Sequence, residues 1–183
     1  MYKRQVWDIG GGQELWQAQA HSPGSCGVVF RPDGKTVTSS SKGDTKVKDW
    51  SVADGDPVMA YTHDDASAVL SLAYSPDGSI LAVGTDVGAD LWTPKKGNRK
   101  GAHLRSLDTA GNAVTDVSFG RGGRVLAGGD QHGTLRLWSP DGAILAAYAE
   151  HDGAISSLAF TPDGDFVVSA SGTRVSWRRW AGA

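Results

Sequence analysis

Apolar residues along this chain come in short bursts bounded by turn residues. The clearest unit starts at Val69–Tyr74, V-L-S-L-A-Y, which is apolar enough for a buried strand. Pro76-Asp77-Gly78 then predicts a turn, with Pro fixing φ and Gly available for a positive φ. Ile80–Gly84, I-L-A-V-G, predicts a second buried strand, Asp86-Val87-Gly88 a second turn and Ala89–Trp92 a third strand. After a loop at Thr93–Asn98, the weaker alternation around His103–Leu107 predicts a solvated outer strand. The unit is thus four antiparallel strands joined by hairpins. No segment shows the period of an amphipathic helix; Ala143–Ala149 is Ala-rich but occupies the outer-strand place of its unit.

The unit repeats. R-P-D-G at Arg31–Gly34 recurs as S-P-D-G at Ser75–Gly78 and T-P-D-G at Thr161–Gly164, with a degenerate copy, G-R-G-G, at Gly120–Gly123. An aromatic precedes each: Phe30, Tyr74, Phe119 and Phe160, spaced by 44, 45 and 41 residues. A second ladder runs in step, with Trp7, Trp50, Trp92 and Trp138 closing short alternating segments at spacings of 43, 42 and 46. Trp177 follows 39 residues later, although the alternation of V-S-W-R-R-W also permits a register shifted by one. Two independent markers with one period establish an internal repeat. Phe30, Tyr74, Phe119, Phe160, Leu72, Leu81, Val117, Leu126, Leu158 and Val167 recur on the two apolar strands and are the expected core.

A period near 43, an aromatic before S-P-D-G and a tryptophan closing the third strand resemble WD40 repeats over nearly the whole chain. The resemblance implies an all-β fold of four-stranded blades around a central axis, about four of them here. It also implies repeats that open with Gly-His and close with Trp-Asp. The opening His is present at His21, His63 and His151, while Ala110-Gly111-Asn112 replaces it in the third full repeat; only Trp7-Asp8 is a literal Trp-Asp pair. In many blades of this family His, Ser or Thr, Asp and Trp form a buried hydrogen-bonded set. Asp44 and Asp86 stand where that Asp would, and His132, with Asp130 nearby, takes the place before Trp138. Incomplete polar networks are the expectation.

Labelled a to d from the axis outward, the strands run c-d, then a-b-c-d three times, then a-b-c. The corresponding division is 1–20 for the end of a first blade, 21–62, 63–107 and 108–149 for full repeats, and 150–183 for an incomplete last one. Propellers have roughly 4–8 blades, and closure protects their strand edges. Three arrangements follow. Glu14–Gln19 could complete the last blade within one chain. Two chains could join head to tail into an eight-bladed ring. Blades of another chain, or of a longer parent protein, could complete the ring. A partial or oligomer-completed propeller is favoured over a closed four-bladed monomer, whose blades would turn by about 90° each.

Composition narrows the function. With 18 Lys plus Arg against 20 Asp plus Glu, the chain lacks the basic excess of a nucleic-acid-binding or polybasic membrane-binding protein. Cys26 is the only cysteine, so no intrachain disulfide or Cys-rich metal site is expected; this fits a reducing, cytoplasmic setting. His63-Asp64-Asp65 and His151-Asp152 look like acid–base or metal clusters, but they recur with the period of the repeat and so read as blade openings. Gly10-Gly11-Gly12 lacks the Gly-Lys-Ser/Thr of a phosphate loop, Gly24-Ser25-Cys26-Gly27 is no nucleophile elbow, and Asp54-Gly55-Asp56 lacks calcium-loop spacing. No catalytic residue, cofactor or metal ligand is therefore assigned. The candidate partner-binding residues are Lys95, Lys96, Arg99 and Lys100 in one loop, and Arg178, Arg179 and Trp180, an Arg-flanked aromatic of interface composition. The expected role is a scaffold for protein–protein contacts, with a purely structural subunit and an axial-mouth enzyme as the alternatives.

Overall fold

A computed structural model describes residues 2–21, 27–94 and 101–180, with the backbone alone at 2–4 and 44. It is built of antiparallel sheets. A two-stranded ribbon pairs β1 (Tyr2–Asp8) with β2 (Gln13–His21). A first blade has the order β3 (Val28–Phe30), β4 (Thr36–Ser41), β5 (Asp44–Ser51), β6 (Pro57–Thr62). A second runs β7 (Val69–Tyr74), β8 (Leu81–Thr85), β9 (Ala89–Thr93), β10 (Ala102–Ser106). A third runs β11 (Val114–Phe119), β12 (Leu126–Asp130), β13 (Thr134–Trp138), β14 (Ile144–Ala149). The last has three strands, β15 (Ser157–Phe160), β16 (Phe166–Ser171) and β17 (Arg174–Arg179). Among the described residues no sheet closes, and β2 pairs with β1 and not with β17.

The a–b hairpins owe their shape to the repeated turn. In S-P-D-G the Gly78 amide donates to the Ser75 carbonyl (2.8 Å), the Ser79 amide donates to the Asp77 carboxylate (3.0 Å), and Gly78 takes φ +67, which L side chains rarely adopt. Gly34 and Gly164 repeat this at φ +69 and +81.

Consecutive blades bury their facing sides against each other. One cluster joins the first and second blades through Val47, Tyr61, Val69, Tyr74, Leu81 and Val83. A second joins the second and third through Ala82, Leu91, Val117, Leu126 and Trp138. A third joins the third and last through Val125, Ala127, Leu137, Ile155, Leu158 and Val167. The ribbon packs on the first blade through Ala20, Val37 and Trp50. Along the inner strands, Asp116 on β11 accepts the Ser71 hydroxyl of β7 (2.6 Å) and the Leu158 amide of β15 (2.7 Å), tying three blades together.

Most of the expected core is buried: Tyr74, Leu81, Val117, Leu126, Leu158 and Val167 fully, Leu72, Phe119 and Phe160 partly. Phe30 corrects the expectation, being 55% exposed. The reason is positional. The aromatic before each turn packs backward onto the preceding blade, and the ribbon before the first blade holds only two strands. Val28 and Phe30 therefore lie uncovered.

Candidate functional site

The blade-opening histidines and their stand-in make polar contacts within their own blades. In the first blade the Ser39 hydroxyl bridges His21 Nε2 (3.0 Å) and the indole N–H of Trp50 (2.9 Å), a buried relay. In the last blade His151 Nε2 meets the Ser169 hydroxyl at 2.8 Å. In the third, Asn112 stands in for the histidine and donates to Asp130 (3.1 Å), while the Trp138 indole donates to the Asp108 carbonyl (3.2 Å). Asp130 also receives Arg136 Nη1 at 2.6 Å and the amides of His132 and Thr134. Burial raises its carboxyl pKa, but these donors outweigh burial and hold it below the ordinary value.

The second blade differs. Val83 pairs with Asp90 as Ser39 pairs with Lys48, so a valine occupies the serine's place. His63 Nδ1 turns to Asp90 Oδ2 (3.1 Å), and Asp90 Oδ1 also takes His103 Nε2 (3.2 Å) and the Ser106 hydroxyl (2.6 Å). Buried His63 Nε2 and Trp92 Nε1 have no hydrogen-bond partner among the described residues. Burial pushes the Asp90 carboxyl up; the donors, His63 foremost, bring it below its usual range. These groups, with Asp64 and Asp65, line a cleft of about 290 Å3. Ser106 gives its proton directly to the carboxylate, and His103 lies 3.5 Å away, so no Ser–His–Asp relay forms. Among the described residues no group of three or more His, Cys, Asp or Glu side chains could hold a metal ion. Of the aspartates expected in these sets, the Asp44 side chain lies outside the described residues. Asp86 instead caps the amides of Ser67 and Ala68.

Lys95, Lys96, Arg99 and Lys100 also lie outside the described residues. Arg178 and Arg179 sit on opposite faces of β17. Arg178 pairs with Glu150 and lies 5.2 Å over the Tyr148 ring; Arg179 lies 6.0 Å over the Phe166 ring. Trp180 packs, half-buried, against the cluster of the third and last blades. The exposed tryptophan at this end is Trp177, 67% accessible. The register explains this. Trp50, Trp92 and Trp138 pair with Val37, Leu81 and Leu126, but the equivalent Val167 pairs with Arg178. The shift by one residue left open by the sequence is the one adopted, and it turns Trp177 to the outer face. There Thr161, Phe166, Val168 and Trp177 line an apolar cleft of about 320 Å3. The Phe166 and Trp177 rings meet edge-on, centroids 5.5 Å apart. Sequence reasoning missed this cleft because its residues look like ordinary strand positions; only the choice of register exposes them.

A family model for the WD domain, G-beta repeat, matches residues 55–90, 101–139 and 140–176. The chain belongs to the WD40 repeat family. Mouse telomerase protein component 1 is 27% identical to it over 167 residues, 91% of this chain and 6% of that protein. Protein groucho of Drosophila melanogaster is 26% identical over 92% of this chain and 22% of its own length. A guanine nucleotide-binding protein subunit beta from Zea mays is 25% identical over 91% of this chain and 47% of its own. The chain thus spans less than half the length of each of these relatives. WD40 repeats generally serve as non-enzymatic scaffolds for protein–protein interaction. Among the described residues no helix is long and apolar enough to cross a membrane, which says nothing of β-barrels.

Proposed function

We propose that this chain is a non-catalytic WD40 scaffold that binds protein partners and completes its propeller with a second copy joined head to tail. The repeat division 1–20, 21–62, 63–107, 108–149 and 150–183 is part of this reading, and so are a cytoplasmic setting and partner contacts at Lys95, Lys96, Arg99, Lys100, Arg178, Arg179 and Trp180. Neither nucleic acid nor membrane is a partner in it. The observation that carries it is a pair of uncovered apolar faces at opposite ends of the blade array. Val28 and Phe30 open one end, and Val175 and Trp177 the other. Interior blades bury the equivalent positions, so these faces have the composition of a junction. In an eight-bladed ring, β17 of one copy would lie beside β2 of the other in the place β1 now holds. The contact would be heterologous and closed.

Light scattering coupled to size exclusion tests this. The expected mass is about twice the 19.1 kDa of the chain, and deletion of residues 1–20 should abolish the pair. A thermally stable monomer indifferent to that deletion refutes the shared ring. Partner binding is tested separately by affinity capture with charge reversal at Lys95–Lys100. That contact should weaken steeply with salt if it rests on exposed charge.

A further inference from the structure

The interior junctions share one device. The aromatic before each turn enters a slot on the preceding blade, built from four equivalent positions: the residue after that blade's own aromatic, two on strand b and one on strand c. Tyr74 enters the slot of the first blade, where its hydroxyl meets Thr38 at 2.7 Å and Thr38 donates to Asp49 at 2.6 Å. Phe119 packs against the cluster holding Ala82 and Leu91, with Ile80 beside it. Phe160 packs against the cluster of Val125, Ala127 and Leu137, and a Cβ added at Gly120 would come within 3.3 Å of its ring. Polarity matches occupant at the paired positions of strands b and c: Thr38 and Asp49 go with the tyrosine, whereas Ala82 with Leu91 and Ala127 with Leu137 go with phenylalanines.

Carried to the last blade by register, the four positions are Thr161, Phe166, Val168 and Trp177. They are the residues that line the open cleft of about 320 Å3. Among the described residues one slot is therefore without an occupant, and one aromatic of the series, Phe30, is without a slot. The vacant slot has apolar side chains where the tyrosine-binding slot has Thr38 and Asp49, so it suits a phenylalanine.

We propose that Phe30 of one copy seats in the Thr161–Phe166–Val168–Trp177 slot of a second copy. This rests on the head-to-tail reading above and names its contact. Two substitutions test it. Phe30→Ala should leave the melting temperature of the isolated chain unchanged, because the ring is exposed there. It should raise the dissociation constant of the pair by about two orders of magnitude or more. Phe30→Tyr should raise it by roughly tenfold, since the hydroxyl would meet Val168 and Trp177 with no acceptor. Benzoylphenylalanine at position 30 should photo-cross-link two chains, and peptide mass mapping should place the link at the slot residues. A pair that forms normally in Phe30→Ala, or cross-links elsewhere, overturns this contact while leaving the paired ring standing. A link to the slot within one chain overturns the second copy as occupant. A wild-type chain that stays monomeric at all concentrations overturns both readings.

Discussion

Val83→Thr should stabilise the protein. In the first blade the Ser39 hydroxyl satisfies His21 Nε2 and the Trp50 indole N–H at 3.0 and 2.9 Å. In the second blade Val83 leaves the corresponding His63 Nε2 and Trp92 Nε1 buried and without hydrogen-bond partners among the described residues. Val83 is fully buried in the cluster against which Trp92 packs, so a nearly isosteric threonine would place its hydroxyl between them. Two hydrogen bonds contribute about 0.5–1.5 kcal/mol each, and each relieves a buried polar atom. Against this stands one lost methyl, about 0.8 kcal/mol, so the net gain is roughly 1 kcal/mol. For a chain of this length that raises the melting temperature by about 2–4 °C. Thermal melts of wild type, Val83→Thr, Trp92→Phe and the double variant form a cycle. The threonine should lose much of its benefit when the indole N–H is removed. A Val83→Thr protein that melts below wild type, with no coupling to Trp92, refutes the argument that the relay is interrupted at this position.

Three further outcomes follow from the packing. Phe160→Ala should cost about 3–4 kcal/mol in urea unfolding, whereas Phe30→Ala should cost almost nothing in the isolated chain; equal effects would contradict the slot assignment. Asp116→Ala should cost roughly 2–4 kcal/mol, because the Ser71 hydroxyl and the Leu158 amide each lose an acceptor; a melt unchanged from wild type would show that the tie carries no load. Asp49 and Asp130 should respond to pH with opposite signs. Burial raises the Asp49 carboxyl above its ordinary value, so its contribution is greatest in acid and is lost as pH rises through the raised value. Asp130 is depressed, so its contribution is present at neutral pH and is lost as pH falls through the lowered value. Relative to wild type, Asp130→Asn should therefore be worst at neutral pH and Asp49→Asn worst in acid; parallel profiles would refute the difference in environment.

The blades were legible because two markers share one period. The aromatic-Pro-Asp-Gly turn has a local cause in φ and in the side-chain acceptor, and the closing tryptophans report the strand they end. Partner identity within the polar sets was less legible. Asp86 has the spacing expected of the set but caps Ser67 and Ala68, while Asp90, inside a strand, takes His63. Spacing along the chain cannot say that Val83 removes the serine to which the histidine would otherwise turn. Phe30 shows the same limit: its sequence context equals that of Tyr74, and only the two-stranded ribbon before it leaves it in solvent. Trp177 was visible as a residue but not as a surface, since one step of register decides its face.

That one step also bears on how such a protein can change. Interior blades aim their closing tryptophan back at the neighbour already made; here the ring sits one residue early and aims forward. Because strand side chains alternate, a one-residue slip of β17 against β16 would exchange its two faces along its whole length. An exposed tryptophan and a buried one are therefore one step of register apart, without any change in the inventory of side chains. One residue added to or removed from the turn before β17 is the smallest length change that makes this step.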